Sequence, residues 1–145
     1  MREQMTIEML KIAAKCSLPT MNKDPRGFWL GAVGIRDDGA IVYSRNGSAV
    51  HDDSSFNYKT VASVHAEGRI LKKLGKGGVI YVARVSKLTR KLAMARPCGF
   101  CQANISAMDV KKVIYSINEF QYGVWDLEAD TDKVYTESNE IYLDI

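Results

Sequence analysis

At 145 residues the chain has the length of one ordinary domain, residues 1–145, and is long enough to bury a full core without staples. Its 46% apolar and 26% charged residues are ordinary for a soluble globular protein, and no apolar run approaches the roughly 18 residues of a membrane span, which excludes a membrane helix. Three cysteines are an odd, sparse count that argues against a disulfide framework and for a reducing, cytoplasmic compartment, while acids mixed into residues 1–8 argue against a secretory signal.

Residues 3–16 place Met5, Ile7, Met9, Leu10, Ile12 and Ala13 mostly at three- and four-residue spacing, which predicts an amphipathic first helix ending at Cys16, a small buried hydrophobe. Residues 17–26, with Pro19 and Pro25, read as loop. Two β-rich runs, 28–35 and 40–43, flank Asp37-Asp38-Gly39 and predict a hairpin. Gly31 and Gly34 weaken a strand unless another backbone or a ligand comes close. Asn46 and Gly47 follow the second strand. The polar stretch 48–60 reads as a long loop, a candidate lid, with His51 a solvated residue beside Asp52 and Asp53.

Residues 60–74 are predicted as a helix with Ser63 as N-cap, Val64, Ile70, Leu71 and Leu74 towards the core, and a stop at Gly75 to Gly78. Residues 79–85 form a continuous apolar run, as in the buried middle of a sheet. A basic stretch then leads to Pro97, a second helix over 98–108 and a strand over 112–117. Strand, helix, strand is an α/β signature. Too few residues separate 117 from the run 123–127 for a parallel crossover, so that fifth strand is expected antiparallel. Residues 128–133 read as an acidic loop, and 134–145 as a terminal element of open type.

The chemistry lies in two motifs: Ser63-Val64-His65-Ala66-Glu67, and Pro97-Cys98-Gly99-Phe100-Cys101, whose first cysteine is 33 residues after the histidine. Cysteines at i, i+3 directly after a proline fit the first turn of a helix and can meet one ion. His65 and Glu67 stand about 200° apart around a helix, so they converge only near its end. One imidazole, two thiols and a carboxylate suit a zinc held by His65, Cys98 and Cys101, with the fourth position left for water and Glu67 as general base. Helix N-termini favour both cysteines as thiolates. A structural zinc site would ordinarily have four protein ligands.

With these residues in view the chain resembles the zinc-dependent cytidine deaminase family. Beyond the metal motif, Phe28-Trp29-Leu30-Gly31-Ala32 is similar to that family's Phe-x-Val-Gly-Ala strand, Asn46 stands where a substrate-binding Asn ends the second strand, and Pro97 to Gln102 is close to its Pro-Cys-Gly-x-Cys-Arg-Gln. The similarity runs over residues 28–127. It implies a three-layer α/β/α sandwich with a mixed five-stranded sheet and an antiparallel last strand. It also implies hydrolytic deamination of a cytosine nucleoside or nucleotide, substrate contacts from Phe28, Asn46, Ala66 and Pro97, and a homo-oligomer. The chain departs at two points: His65 replaces the cysteine of the small tetrameric enzymes, and Asn46-Gly47-Ser48 lacks the family's ribose-binding Glu.

The charge distribution bears on the substrate. Residues 68–108 carry nine Lys or Arg and no acid, whereas 109–145 carry nine acids against three bases. This reads either as a solvated face balanced by the acidic tail or as a positive approach for a phosphate or a polynucleotide. Arg69 and Arg96 could temper the thiolate charge. Single-stranded DNA or RNA is the alternative substrate, with Phe56, Tyr58 or Tyr122 as stacking residues. A catalytically idle binding protein is a third reading, against which Glu67 argues.

Overall fold

Strands whose two faces are both apolar need cover on both sides. The computed structural model describes residues 2–17, 28–45, 47–48, 63–64, 66–97 and 99–144. In it β1 (Phe28–Ile35) and β5 (Val79–Ser86) turn Trp29, Val33, Tyr81, Ala83 and Val85 to one face. Leu30, Ala32, Ile80 and Val82 go to the other. Helix α1 (Arg2–Cys16) covers the first face with Met9, Leu10, Ala13 and Ala14, joined by Ile141 and Leu143 of the C-terminal tail. Helices α2 (Ala66–Leu74) and α3 (Gly99–Ala107) cover the second, through Ile70, Leu71 and Leu74 and through Ile105. Each buried aliphatic side chain contributes about 1.5–3 kcal/mol. The result is α/β with three layers, as expected.

The sheet runs β2-β1-β5-β7-β8-β9, with β6 (Leu92–Ala93) paired to β5 off this path; β2 is Ile41–Arg45, β7 Lys112–Asn118, β8 Gln121–Asp126 and β9 Thr131–Thr136. β5 and β7 are parallel, and the other described pairs are antiparallel. A separate ladder joins β3 (Gly47–Ser48) to β4 (Ser63–Val64). The β1–β2 hairpin closes where the Asp-Gly turn predicts, with Gly39 at φ 91° and the Arg36 amide donating to Ala40 O at 2.8 Å. No described helix is long and apolar enough to cross a membrane.

Three expectations are corrected. The second helix begins at Ala66, not at residue 60, and Ser63 lies in β4 instead of capping it. A serine ahead of an apolar residue fits a strand end as well as a cap. The sheet has seven strands rather than five: β6 is two residues long, and β9, placed partly in the acidic loop, has no buried residue to mark it. The antiparallel strand after β7 is present as β8, but it is followed by another. On α1, Met5 and Ile12 are exposed, while Cys16 is half-buried against the core. The predicted loop at 18–26, most of the candidate lid and His51 lie outside the described residues.

Gly31 shows why β1 tolerates a glycine. A Cβ there would stand 2.0 Å from Ala13 O and 2.9 Å from Ser17 N, so the end of α1 sits on the bare backbone. Gly31→Ala should lower unfolding free energy by about 1–3 kcal/mol, as overpacking does. A urea titration with an unchanged midpoint would show that α1 does not dock there.

Candidate metal centre

The parallel pair β5 and β7 determines where the two candidate helices start. α2 leads into β5 and α3 into β7, each through a four-residue link, residues 75–78 and 108–111. Val79 stands opposite Lys112, so both strands begin at one level. The links are bonded together there: the Gly77 amide donates to Met108 O at 3.0 Å and the Lys111 amide to Gly78 O at 2.8 Å. Each helix therefore runs back antiparallel to its strand from a shared end. Both have nine residues, about 13 Å at 1.5 Å per residue. They pack on the same face and touch one another. Equal lengths from level strand starts put both helix starts on one face of the sheet, about four residues along β5 and β7, with both positive helix ends at that level.

Glu67 is the second residue of α2 and Cys101 the third of α3. Phe28 opens β1, opposite Ser86 at the far end of β5. Of Phe28, Ala66, Glu67 and Cys101 the structure describes the backbone; His65, Cys98 and Asn46 lie outside the described residues. Their neighbours in sequence are nonetheless brought together. Gly47, next after Asn46, pairs with Val64, which directly precedes His65. Arg45 lies opposite Gly31, itself opposite Ala83 in the carboxyl half of β5. Among the described residues no group of three His, Cys, Asp or Glu side chains converges as a metal site.

Pro97 is buried, and the chain entering it is tied at several points. Ser116, fully buried on β7, donates its hydroxyl to Ala93 O at 2.7 Å and accepts from the Arg84 amide at 3.1 Å, while Ser116 O accepts from the Ala95 amide at 2.9 Å. Such bonds contribute about 0.5–1.5 kcal/mol each. In the first turn of α3, Gln102 Nε2 donates to Pro97 O at 2.7 Å. Arg96 donates from Nε and Nη2 to Asp132 Oδ2 of β9 at 2.9 and 2.5 Å. Its guanidinium stands over the Tyr115 and Trp125 rings, 5.9 and 5.7 Å from their centroids. Tyr115 OH donates to Asp132 Oδ1 at 2.6 Å.

The reach of Tyr115 depends on Gly123. It stands opposite Tyr115 in β8, and a Cβ there would fall 2.2 Å from Tyr115 Cζ, so the ring crosses β8 only over a glycine. Burial first, then the hydrogen bond to Asp132, raises the Tyr115 hydroxyl above its ordinary pKa of 10.0. The Arg96–Asp132 pair is about one-third exposed on each side. An ion pair this open to water is worth about 0.2–1 kcal/mol, so its contribution to stability is small and its effect is geometric.

Sequence reasoning missed Asp132, Tyr115 and Ser116. The signal available was the acidic tail facing a basic centre, and the structure connects the two: Arg96 pairs with Asp132, and Lys91 with Glu140 at 3.4 Å. The Arg96 charge is thus met by a carboxylate, whereas the Arg69 side chain is not described. Tyr122 is corrected. It is 3% exposed, in the core under α1 and stacked on Tyr135, and cannot stack on a base. Phe56 and Tyr58 lie outside the described residues.

No family model matches the chain, and no curated protein matches it. Among solved structures it is similar to the cytidine deaminase of Mycobacterium tuberculosis, 20% identical over 81% of this chain and 90% of that one, with a TM-score of 0.46. It is also similar to the cytidine deaminase of Mycobacterium leprae, 19% identical over 77% and 90%, TM-score 0.48. For that of Burkholderia pseudomallei the values are 15%, 86% and 90%, and 0.45.

The raised Tyr115 pKa has a pH consequence. Its neutral form is favoured in the folded protein, so that stabilisation is complete below about 10.0 and is lost as pH rises through the higher folded value. Unfolding free energy should fall across this alkaline range, and Tyr115→Phe should flatten the fall. Equal slopes for both proteins in denaturant titrations would contradict it.

Proposed function

We propose that this chain is a zinc-dependent hydrolytic deaminase of a cytosine nucleoside or nucleotide. The observation that carries the reading is that α2 and α3, of equal length, lie on one sheet face and lead into the level, parallel strands β5 and β7, because the H-x-E and P-C-x-x-C motifs straddle the two helix starts. The donor set fits the metal: one imidazole and two thiolates, His65, Cys98 and Cys101, suit a three-ligand zinc site, and paired helix N-termini favour the thiolate forms. Zinc, when bound, supplies Lewis acidity that makes water reactive near neutral pH.

The protein's own part is proton handling and positioning. Glu67 takes a proton from the water that attacks C4 of cytosine and delivers it to ring N3. It then takes the proton of the new C4 hydroxyl and passes it to the amine, so that the C4–N bond breaks, the C4 carbonyl forms and ammonia leaves. Asn46, Phe28, Ala66 and Pro97 hold the base and sugar. The missing ribose-binding Glu in Asn46-Gly47-Ser48 favours a phosphorylated substrate. Arg96 and Lys91 are committed to Asp132 and Glu140, which supports a small substrate over a polynucleotide track along the basic stretch.

Ammonia release by the zinc-loaded protein tests this against cytidine, deoxycytidine, their phosphates and a cytosine-containing single-stranded oligonucleotide. Turnover of one free compound is expected, with Glu67→Ala lowering kcat about 10²–10⁴-fold while zinc stays bound. Activity on the oligonucleotide alone would make the chain a polynucleotide deaminase. No ammonia from any of them would overturn the cytosine assignment.

A further inference from the structure

We propose that Asp132 of the outermost strand β9 is a positioning residue for the cysteine arm of the zinc site, acting through Arg96. The proposal rests on the zinc reading above. Arg96 lies two residues before Cys98, and its side chain is the link from that segment to β9. Both oxygens of Asp132 are used: Oδ2 takes two guanidinium N–H bonds and Oδ1 the Tyr115 hydroxyl. The carboxylate is therefore fixed in rotation, and it fixes the guanidinium against the Tyr115 and Trp125 rings.

The upstream ties stop short of the cysteine. Ser116 holds Ala93 and Ala95 through backbone groups, and Gln102 holds the Pro97 carbonyl from the helix side. Residue 96 stands between them, and Asp132 anchors it. The geometry needs three strands in concert: Tyr115 on β7, the bare Gly123 on β8 that lets the ring pass, and Asp132 on β9. Partners behind a metal ligand keep it in place, and losing one typically weakens metal binding or activity about 10–100-fold. β9, one of the two strands beyond the expected five, thus supports the site.

The test compares Asp132→Ala with Glu140→Ala, which removes a second tie between tail and basic segment, the Lys91–Glu140 pair. Zinc affinity is read by competition with a chromophoric chelator, alongside kcat, KM and the urea midpoint. Asp132→Ala should bind zinc about tenfold more weakly and lose kcat with KM unchanged, while Glu140→Ala matches the wild-type protein in both. Wild-type affinity in Asp132→Ala overturns the proposal, as does a loss of affinity that merely follows the urea midpoint in both variants. Should Asp132→Ala fail to fold, Tyr115→Phe decides: weaker zinc binding supports the proposal and equal binding overturns it. A wild-type protein that binds no zinc would remove the zinc reading itself, and the proposal with it.

Discussion

Parallel pairing of β5 with β7, in register from Val79 and Lys112, is the constraint on which the rest depends. Strands that start level and are fed by two helices of equal length on one face bring the helix starts to a similar level along the sheet. Hydrogen bonds between the two links, from Gly77 to Met108 and from Lys111 to Gly78, keep the helix ends aligned at the opposite pole. The proposed metal site at the helix starts would thus inherit its geometry from a backbone ladder. Side-chain packing of Ile70, Leu71, Leu74 and Ile105 then holds the helices to the sheet.

Different energies serve different ends in this protein. Apolar burial on both sheet faces supplies the stability, at about 1.5–3 kcal/mol per large side chain. The polar ties around Pro97 add far less, yet they are concentrated on the segment that leads into the proposed ligand-bearing turn. Ser116, Gln102 and the Tyr115–Asp132–Arg96 chain restrain four of the five residues ahead of Cys98, Ala93, Ala95, Arg96 and Pro97, from three directions. Acidic residues of the tail meet basic residues of the centre at Arg96 and Lys91, so the uneven charge of the sequence is partly an internal pairing.

Much of this was legible in the sequence where a local pattern carried it. The hairpin of β1 and β2 followed from an Asp-Gly turn between β-rich runs, the burial of β5 from its unbroken apolar run, and the antiparallel β8 from a link too short for a crossover. The glycine at 31 signalled a close approach before its partner, the end of α1, was visible. What stayed hidden lacked a local signal. β9 buries no residue, so its alternation leaves no hydrophobic trace, and its strand pairing depends on an edge already built. Asp132 meets Arg96 across 36 positions, a separation that only the sheet order explains. The start of α2 was misplaced because a two-residue ladder with β3 overrides the cap that Ser63 suggested. Of the candidate site, the motifs were readable and the supports were not.

X-ray absorption at the zinc edge of the purified protein measures the proposed centre most directly. Two helix starts bearing His65, Cys98 and Cys101 should give one zinc per chain with two sulfur neighbours at about 2.3 Å and two lighter ones, nitrogen and water oxygen, at about 2.0–2.1 Å. A shell of nitrogen and oxygen alone, or no stoichiometric zinc, would contradict the joining of the two motifs at one metal.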